Sequence, residues 1–226
     1  MRIPLTKYGL PQVVVFPAVL AALMIALACV FPTAVWLVPA EIVLGLVLIW
    51  VFSFFRDPHR VVPKDEKVLL SPADGTVTDI TILENDELLG KGAVRIGIFL
   101  SVFNVHINRL PCSVTVEKIT YKEGKFTNAM SPESGRVNES NELLVKRLYE
   151  PTDRILVRQV TGAIARRIVC VAKEGSEYGQ GEQFGMMKFG SRAELFAPSS
   201  EGGRYDVQIK IGDKVRAGLT PLIRYT

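Results

Sequence analysis

The sequence predicts a mainly β protein: a sandwich- or barrel-like β-rich domain over residues 56–226, preceded by an N-terminal transmembrane helical hairpin over residues 1–55. Three observations carry this. Between Gly9 and Phe55 the only charged side chain is Glu41. Beyond Phe55, short runs that alternate apolar and polar residues replace the continuous apolar ones. Sixteen of the 18 glycines fall in that second part, mostly between those runs. That is the punctuation of short strands rather than of long helices.

The elements follow in chain order. Residues 13–31 carry no charge and residues 34–55 carry only Glu41. At ~1.5 Å per residue each run crosses a ~30 Å hydrocarbon core. Phe31-Pro32-Thr33-Ala34 joins them closely enough for a hairpin. Arg2 and Lys7 precede the first span, and Arg56, Arg60, Lys64 and Lys67 follow the second. The connection has no basic residue, so the positive-inside rule puts both ends in the cytoplasm. The expected location is the cell (inner) membrane, with the β domain cytoplasmic. Trp36 and Trp50 lie near the ends of the second span, where aromatic rings favour the interface. Glu41, early in that span, is expected to snorkel to the far face.

In the second domain, Ile80–Ile82, Arg95–Leu100, Val114–Tyr121, Ile155–Val160 and Ile164–Val171 read as strands. Tyr205–Ile211 alternates without a fault and reads as another. The polar stretch Asn128–Glu142 reads as a surface loop, long enough to be functional.

Composition excludes several classes. With 48% hydrophobic and 22% charged residues the chain is neither disordered nor collagen-like. A net charge of +4 is too small to argue for nucleic acid, but it suits an anionic membrane surface. Cys29, Cys112 and Cys170 form no CxxC pair and no even framework, which points to a reducing compartment. His59 and His106 are the only histidines, and no metal-ligand spacing is present.

Three places bear groups that do chemistry. Ser71-Pro72-Ala73-Asp74-Gly75 sets an acid in a turn before a strand, although Asp-Gly is also an ordinary turn dipeptide. Phe103-Asn104-Val105-His106-Ile107-Asn108-Arg109 sets a histidine in an apolar and amide run, where a lone histidine is ordinarily a satisfied core residue. Phe189-Gly190-Ser191-Arg192 sets a serine after a glycine, which reads equally as a turn between strands. Together Asp74, His106 and Ser191 are the parts of a charge relay, in which an acid orients an imidazole that deprotonates a hydroxyl. No GxSxG elbow is present, which disfavours an α/β-hydrolase.

These segments, with Phe54-Phe55-Arg56-Asp57-Pro58-His59-Arg60 and Gly162-Ala163-Ile164-Ala165-Arg166-Arg167-Ile168-Val169, resemble the phosphatidylserine decarboxylase proenzymes of the short, membrane-anchored, pyruvoyl-dependent type. Five segments occur in the family's order over nearly the whole second domain. Asn138-Glu139-Ser140-Asn141 departs from the family's usual Asn-Glu-Arg-Asn. The resemblance implies self-cleavage between Gly190 and Ser191, with His106, polarised by Asp74, taking the Ser191 proton. It implies a covalent pyruvoyl cofactor made from Ser191, which forms a Schiff base with the substrate. The products are chains 1–190 and 191–226, held as a heterodimer, with room for a higher oligomer. The implied reaction is decarboxylation of the phospholipid phosphatidylserine to phosphatidylethanolamine. His106 is suited to protonate the decarboxylated carbon as well. No metal and no nucleic-acid partner are implied.

Three alternatives stand beside it. One is a decarboxylase of a related serine-headed lipid such as archaetidylserine. Another is a membrane-anchored Ser/His/Asp hydrolase. The third is a biotinyl- or lipoyl-type carrier on Lys188, suggested by Met186-Met187-Lys188 and the turn Gly212–Gly218.

Overall fold

The computed structural model describes residues 4–86, 89, 91–163, 167–198 and 205–226. Two compact units are present, Met1–His59 and Arg60–Thr226.

In the first unit a short 3-10 turn, Lys7–Gly9, leads into helix α1, Leu10–Val30, and α2 spans Leu37–Phe54. Both are long and apolar enough to cross a membrane. Neither has an amphipathic stripe; apolar side chains surround each, as a lipid-facing helix requires. Trp36 sits at the start of α2, its ring 5.2 Å from that of Phe31 across the connection. The outer ends of the hairpin are tied by the Thr6 amide donating to the Phe55 carbonyl at 2.9 Å.

The second unit is mainly β, as its patterning predicts. Its strands are β1 (Val68–Leu70), β2 (Gly75–Asp86), β3 (Lys91–Leu100), β4 (Ile107–Arg109) and β5 (Val114–Lys122). After the one-turn helix α3 (Ser134–Val137) come β6 (Ser140–Arg147), β7 (Arg154–Val160), β8 (Arg167–Cys170), β9 (Glu177–Tyr178) and β10 (Gln183–Lys188). The last four are β11 (Ser191–Pro198), β12 (Tyr205–Val207), β13 (Lys214–Val215) and β14 (Pro221–Tyr225). An eight-stranded sheet runs β13-β2-β3-β11-β7-β6-β5-β9, curled as half a barrel. Two three-stranded sheets, β1-β14-β12 and β4-β10-β8, accompany it. Every described strand pair is antiparallel.

The two-residue period decides what each face does. Ile96, Ile98 and Leu100 of β3, Ala193, Leu195 and Ala197 of β11, and Ile155 and Val157 of β7 join one apolar core. Leu69, Leu222 and Ile223 of the first small sheet and Phe184 and Met187 of the second pack into the same core. On the other face of β11, Arg192 and Glu194 carry charge and are fully buried. They belong to a row of opposite charges strung across the strands. Arg95 contacts Asp79 at 3.2 Å, Asp79 meets Arg192 at 2.6 Å, and Arg192 meets Glu194 at 2.8 Å. Arg158 then bridges Glu194 at 2.9 Å and Glu142 at 2.8 Å, and Lys122 closes the row on Glu142 at 2.9 Å. Each buried charge thus has an opposite neighbour, without which its desolvation would cost several kcal/mol.

Three sequence expectations change. Tyr205–Ile211 is a strand only over Tyr205–Val207. From Lys210 the chain turns, with the Lys210 amide donating to Asp213 Oδ2 at 2.9 Å and the Asp213 amide returning to the Lys210 carbonyl at 3.2 Å. Asn128–Glu142 is not simply a surface loop. It contains α3 and the start of β6, and Ser134, Asn138, Asn141 and Glu142 are buried. The strand expected over Ile164–Val171 is β8, Arg167–Cys170, and residues 164–166 lie outside the described ones.

Candidate active site

Ser191 is the first residue of β11, opposite Leu100 of β3. The chain reaches it from β10 in the other sheet through two residues with left-handed backbone, Phe189 at φ 67° and Gly190 at φ 44°. Glycine adopts that conformation freely, whereas at Phe189 it costs roughly 1–2 kcal/mol. The reversal is what transfers the chain from one sheet to the next, so the Gly190–Ser191 peptide sits at a constrained crossing. Ser191 is fully buried, and its Oγ has no hydrogen-bond partner among the described residues. A buried hydroxyl left in that state costs about 1–3 kcal/mol, and such atoms call for an explanation.

His106 is fully buried and immediately precedes β4. Its backbone carbonyl accepts from the Met187 amide of β10 at 3.2 Å, which ties it to the strand that runs into Gly190. Its Nδ1 lies 3.0 Å from the Asn104 carbonyl oxygen. A carbonyl only accepts, so this contact assigns the proton to Nδ1 and leaves Nε2 as the basic nitrogen of the neutral ring. Asn104 is itself fixed by a tight turn, its Oδ1 accepting from the Ser101 amide at 2.9 Å.

Asp74 ends the Ser71–Asp74 turn just before β2. The turn is held by Ser71 Oγ donating to the Ala73 carbonyl at 2.6 Å and the Ser71 amide donating to the Thr220 carbonyl at 2.8 Å. Arg60 grips the carboxylate with both terminal nitrogens, at 2.6 and 2.8 Å, and the Ala217 amide donates to Oδ1 at 2.8 Å. Arg60 also donates to the Ala217 carbonyl at 2.6 Å. This two-pronged pair is the strong geometry for arginine and carboxylate. The Arg60 side chain is 6% exposed, so it is committed to the interior rather than offered to lipid as a basic flank.

The structure brings Asp74, the end of β3 and Ser191 to one end of the large sheet, since Thr76 and Arg192 both face Phe99. His106 reaches the same region through β10. The hydrogen bonds of Asp74 go to Arg60 and Ala217, while the His106 ring is held by Asn104.

Sequence reasoning missed a buried amide chain beneath these groups. Asn141 Nδ2 donates to Gln159 Oε1 at 3.0 Å, and Gln159 Nε2 donates to Asn108 Oδ1 at 2.9 Å. The Arg109 amide then donates to the Pro72 carbonyl at 3.0 Å. The chain thus links β6, β7 and β4 to the turn that holds Asp74.

A cavity of about 310 Å³ opens beside the crossing, lined by Phe99, Ser101, Val102, Asn128, Ala129, Ala163 and Gly190. It lies at the lower end of small-molecule sites. Lys188 is 6% exposed, and burial, aided by Arg167 opposite it on β8, holds its amine below the usual lysine range. A carrier lysine must project into solvent to deliver its arm, and Lys188 does not. Among the described residues no cluster of three or more His, Cys, Asp or Glu has the arrangement of a metal site.

The sequence model of the phosphatidylserine decarboxylase family matches residues 47–222. The chain belongs to the phosphatidylserine decarboxylase family. Its relatives are named phosphatidylserine decarboxylase proenzyme. That of Carboxydothermus hydrogenoformans is 41% identical over 79% of this chain and 81% of its own. That of Syntrophus aciditrophicus is 37% identical over 96% of both chains, and that of Rhodopirellula baltica 40% over 99% of this chain and 89% of its own. These matches make the chain an enzyme of a decarboxylase family, and proenzyme naming marks that family as one made in precursor form.

Proposed function

We propose that the chain is a proenzyme that cuts itself between Gly190 and Ser191 and then decarboxylates phosphatidylserine to phosphatidylethanolamine with a pyruvoyl group made from Ser191. The carrying observation is the Ser191 hydroxyl, buried and without a partner at the exit of a left-handed crossing. It supports a nucleophile whose target is its own chain. A hydrolase reading leaves the left-handed backbone at Phe189 and Gly190, directly before the serine, without a use.

His106 Nε2 takes the Ser191 Oγ proton, and Oγ bonds to the Gly190 carbonyl carbon. The peptide C–N bond breaks, its nitrogen takes the proton, and the amide becomes an ester. Loss of the Ser191 α-proton expels the Gly190 carboxylate and leaves dehydroalanine, which water converts to the pyruvoyl group with release of ammonia. The site fits such a group: Ser191 begins a strand fixed on both sides by β3 and β7, and its buried side chain satisfies no other residue. When formed, the group supplies a ketone that condenses with the head-group amine and an electron sink for the pair left by CO₂.

The chain's own residues do the rest. The cavity beside Gly190 receives the head group, with Ser101 and Asn128 as its polar side chains. Arg60 and the Ala217 amide hold Asp74 at the sheet end. His106 moves protons at Nε2. The helical hairpin keeps the domain on the membrane that holds its substrate, with residues 56–226 on the cytoplasmic side. A serine-headed lipid on another backbone presents the same amine and carboxylate.

A denaturing mass spectrum tests this together with a lipid assay. Chains 1–190 and 191–226, the second blocked by a pyruvoyl group, should accompany loss of labelled carboxyl carbon from phosphatidylserine as CO₂. An intact chain labelled by a fluorophosphonate would replace this reading by a hydrolase.

A further inference from the structure

We propose that Gly162 is a positioning residue for self-cleavage: its bare backbone is the surface against which the scissile Gly190 carbonyl is set. This rests on the serinolysis reading above. A Cβ at Gly162 would fall inside the van der Waals envelope of the Gly190 carbonyl oxygen, 3.1 Å from the Gly190 carbonyl carbon and 3.0 Å from Ala129 Cβ. Carbon and oxygen atoms do not approach so closely, so the carbonyl would be displaced by about 1 Å. Gly162 follows β7, the neighbour of β11.

The platform is stiff. The Thr161 amide donates to the Glu139 carbonyl at 3.0 Å and Thr161 Oγ1 to the same oxygen at 3.1 Å. Asn138 Nδ2 donates to the Thr161 carbonyl at 2.8 Å. Asn138 is in turn held by Thr127, whose amide and hydroxyl donate to Asn138 Oδ1 at 2.9 and 2.7 Å. A carbonyl leaning on this surface cannot retreat as Oγ approaches. That is orientation of a reacting atom by a fixed neighbour, and a misplacement of about 1 Å costs on the order of 10²-fold in rate.

The test follows cleavage of full-length chains over time. Wild type should divide between 190 and 191; if it does not, the serinolysis reading fails whatever Gly162 does. Gly162→Ala should divide on the order of 10²-fold more slowly while its melting temperature and circular dichroism stay close to wild type. Neutral hydroxylamine, which cuts esters, should leave the slow chain whole, because the acyl shift itself is what is impeded. Hydroxylamine cutting at 190–191 would put the defect after the shift and overturn the proposal, as would cleavage at the wild-type rate. Adding Ala129→Gly removes only the Ala129 contact and should not rescue the rate. If it does, the clash is with Ala129 and the proposal fails. Should Gly162→Ala not fold, Thr161→Val decides. Loss of its hydroxyl bond should slow cleavage roughly fivefold, and an unchanged rate would reject the platform.

Discussion

Ser191, His106 and Asp74 differ in how much of their setting a linear chain can reveal. Each sits in a segment whose residue types suggest chemistry, which is why the sequence alone is enough to propose them. Their neighbours are not legible in that way. Arg60 reads in sequence as one more basic flank of a membrane span, yet its guanidinium lies on Asp74 and on a carbonyl 157 positions away. The Asn104 carbonyl that holds His106 is a backbone atom, and backbone acceptors leave no trace in composition. Gln159 joins Asn141 and Asn108 from three separate strands, and nothing local marks it. At this scale Ser191→Ala should leave one uncut chain on a denaturing gel, and His106→Ala should slow cleavage about 10²–10⁴-fold. Rapid cleavage in the histidine variant would remove His106 from the base role. A pH effect belongs here too. Burial pushes the Cys112 thiol up from 9.0 to about 12. Between those values the unfolded chain has lost the proton that the folded chain keeps. Stability therefore falls as pH rises above 9, with a limiting slope of ~1.4 kcal/mol per pH unit from this group. Cys112→Ala should be less stable at neutral pH, yet show a shallower decline between pH 9 and 12 in urea titrations. Tyr225, raised by its own burial, keeps part of the decline.

At the scale of elements, alternation located β5 and β7 nearly to the residue, because one face of each meets the apolar core. It failed for β6, whose first residues, Ser140, Asn141 and Glu142, are polar and still buried. Hydropathy reads such residues as solvent-facing. Here Glu142 is buried because Arg158 and Lys122 reach it from β7 and β5, which is information held two strands away. Alternation also overran β12, since a side-chain pattern does not record where a partner strand stops. The charged row across the large sheet makes β11 its hinge. Glu194→Gln would leave Arg192 and Arg158 short of one counter-charge inside the protein, and about 3–5 kcal/mol of stability should be lost. Chemical denaturation would measure it. A loss below about 1 kcal/mol would mean that water or a shifted side chain takes over the carboxylate's place.

Across the whole molecule, the mainly β architecture and the two apolar helices follow from hydropathy patterning and the placement of glycine. The arrangement of the sheets does not, because β1 pairs with β14 from the opposite end of the domain. The proposed cut falls at the mouth of a central strand. Chain 191–226 would keep β11 between β3 and β7 and β14 against β1. The two products should therefore elute together on a sizing column and separate only in denaturant. Separation under native conditions would show that the sheet does not survive the cut. The Ala217 amide that reaches back to Asp74 also carries a consequence for biosynthesis. While the ribosome is still short of residue 217, the acid lacks one of its two restraints and β1 lacks its partner strand. If the chain cuts itself as proposed, a nascent chain is expected to stay uncut until residue 217 and β14 have been made. A chain stopped after Arg216 retains Asp74, His106, Gly190 and Ser191, yet it should stay in one piece. Supplying the missing tail as a separate peptide should restart the clock.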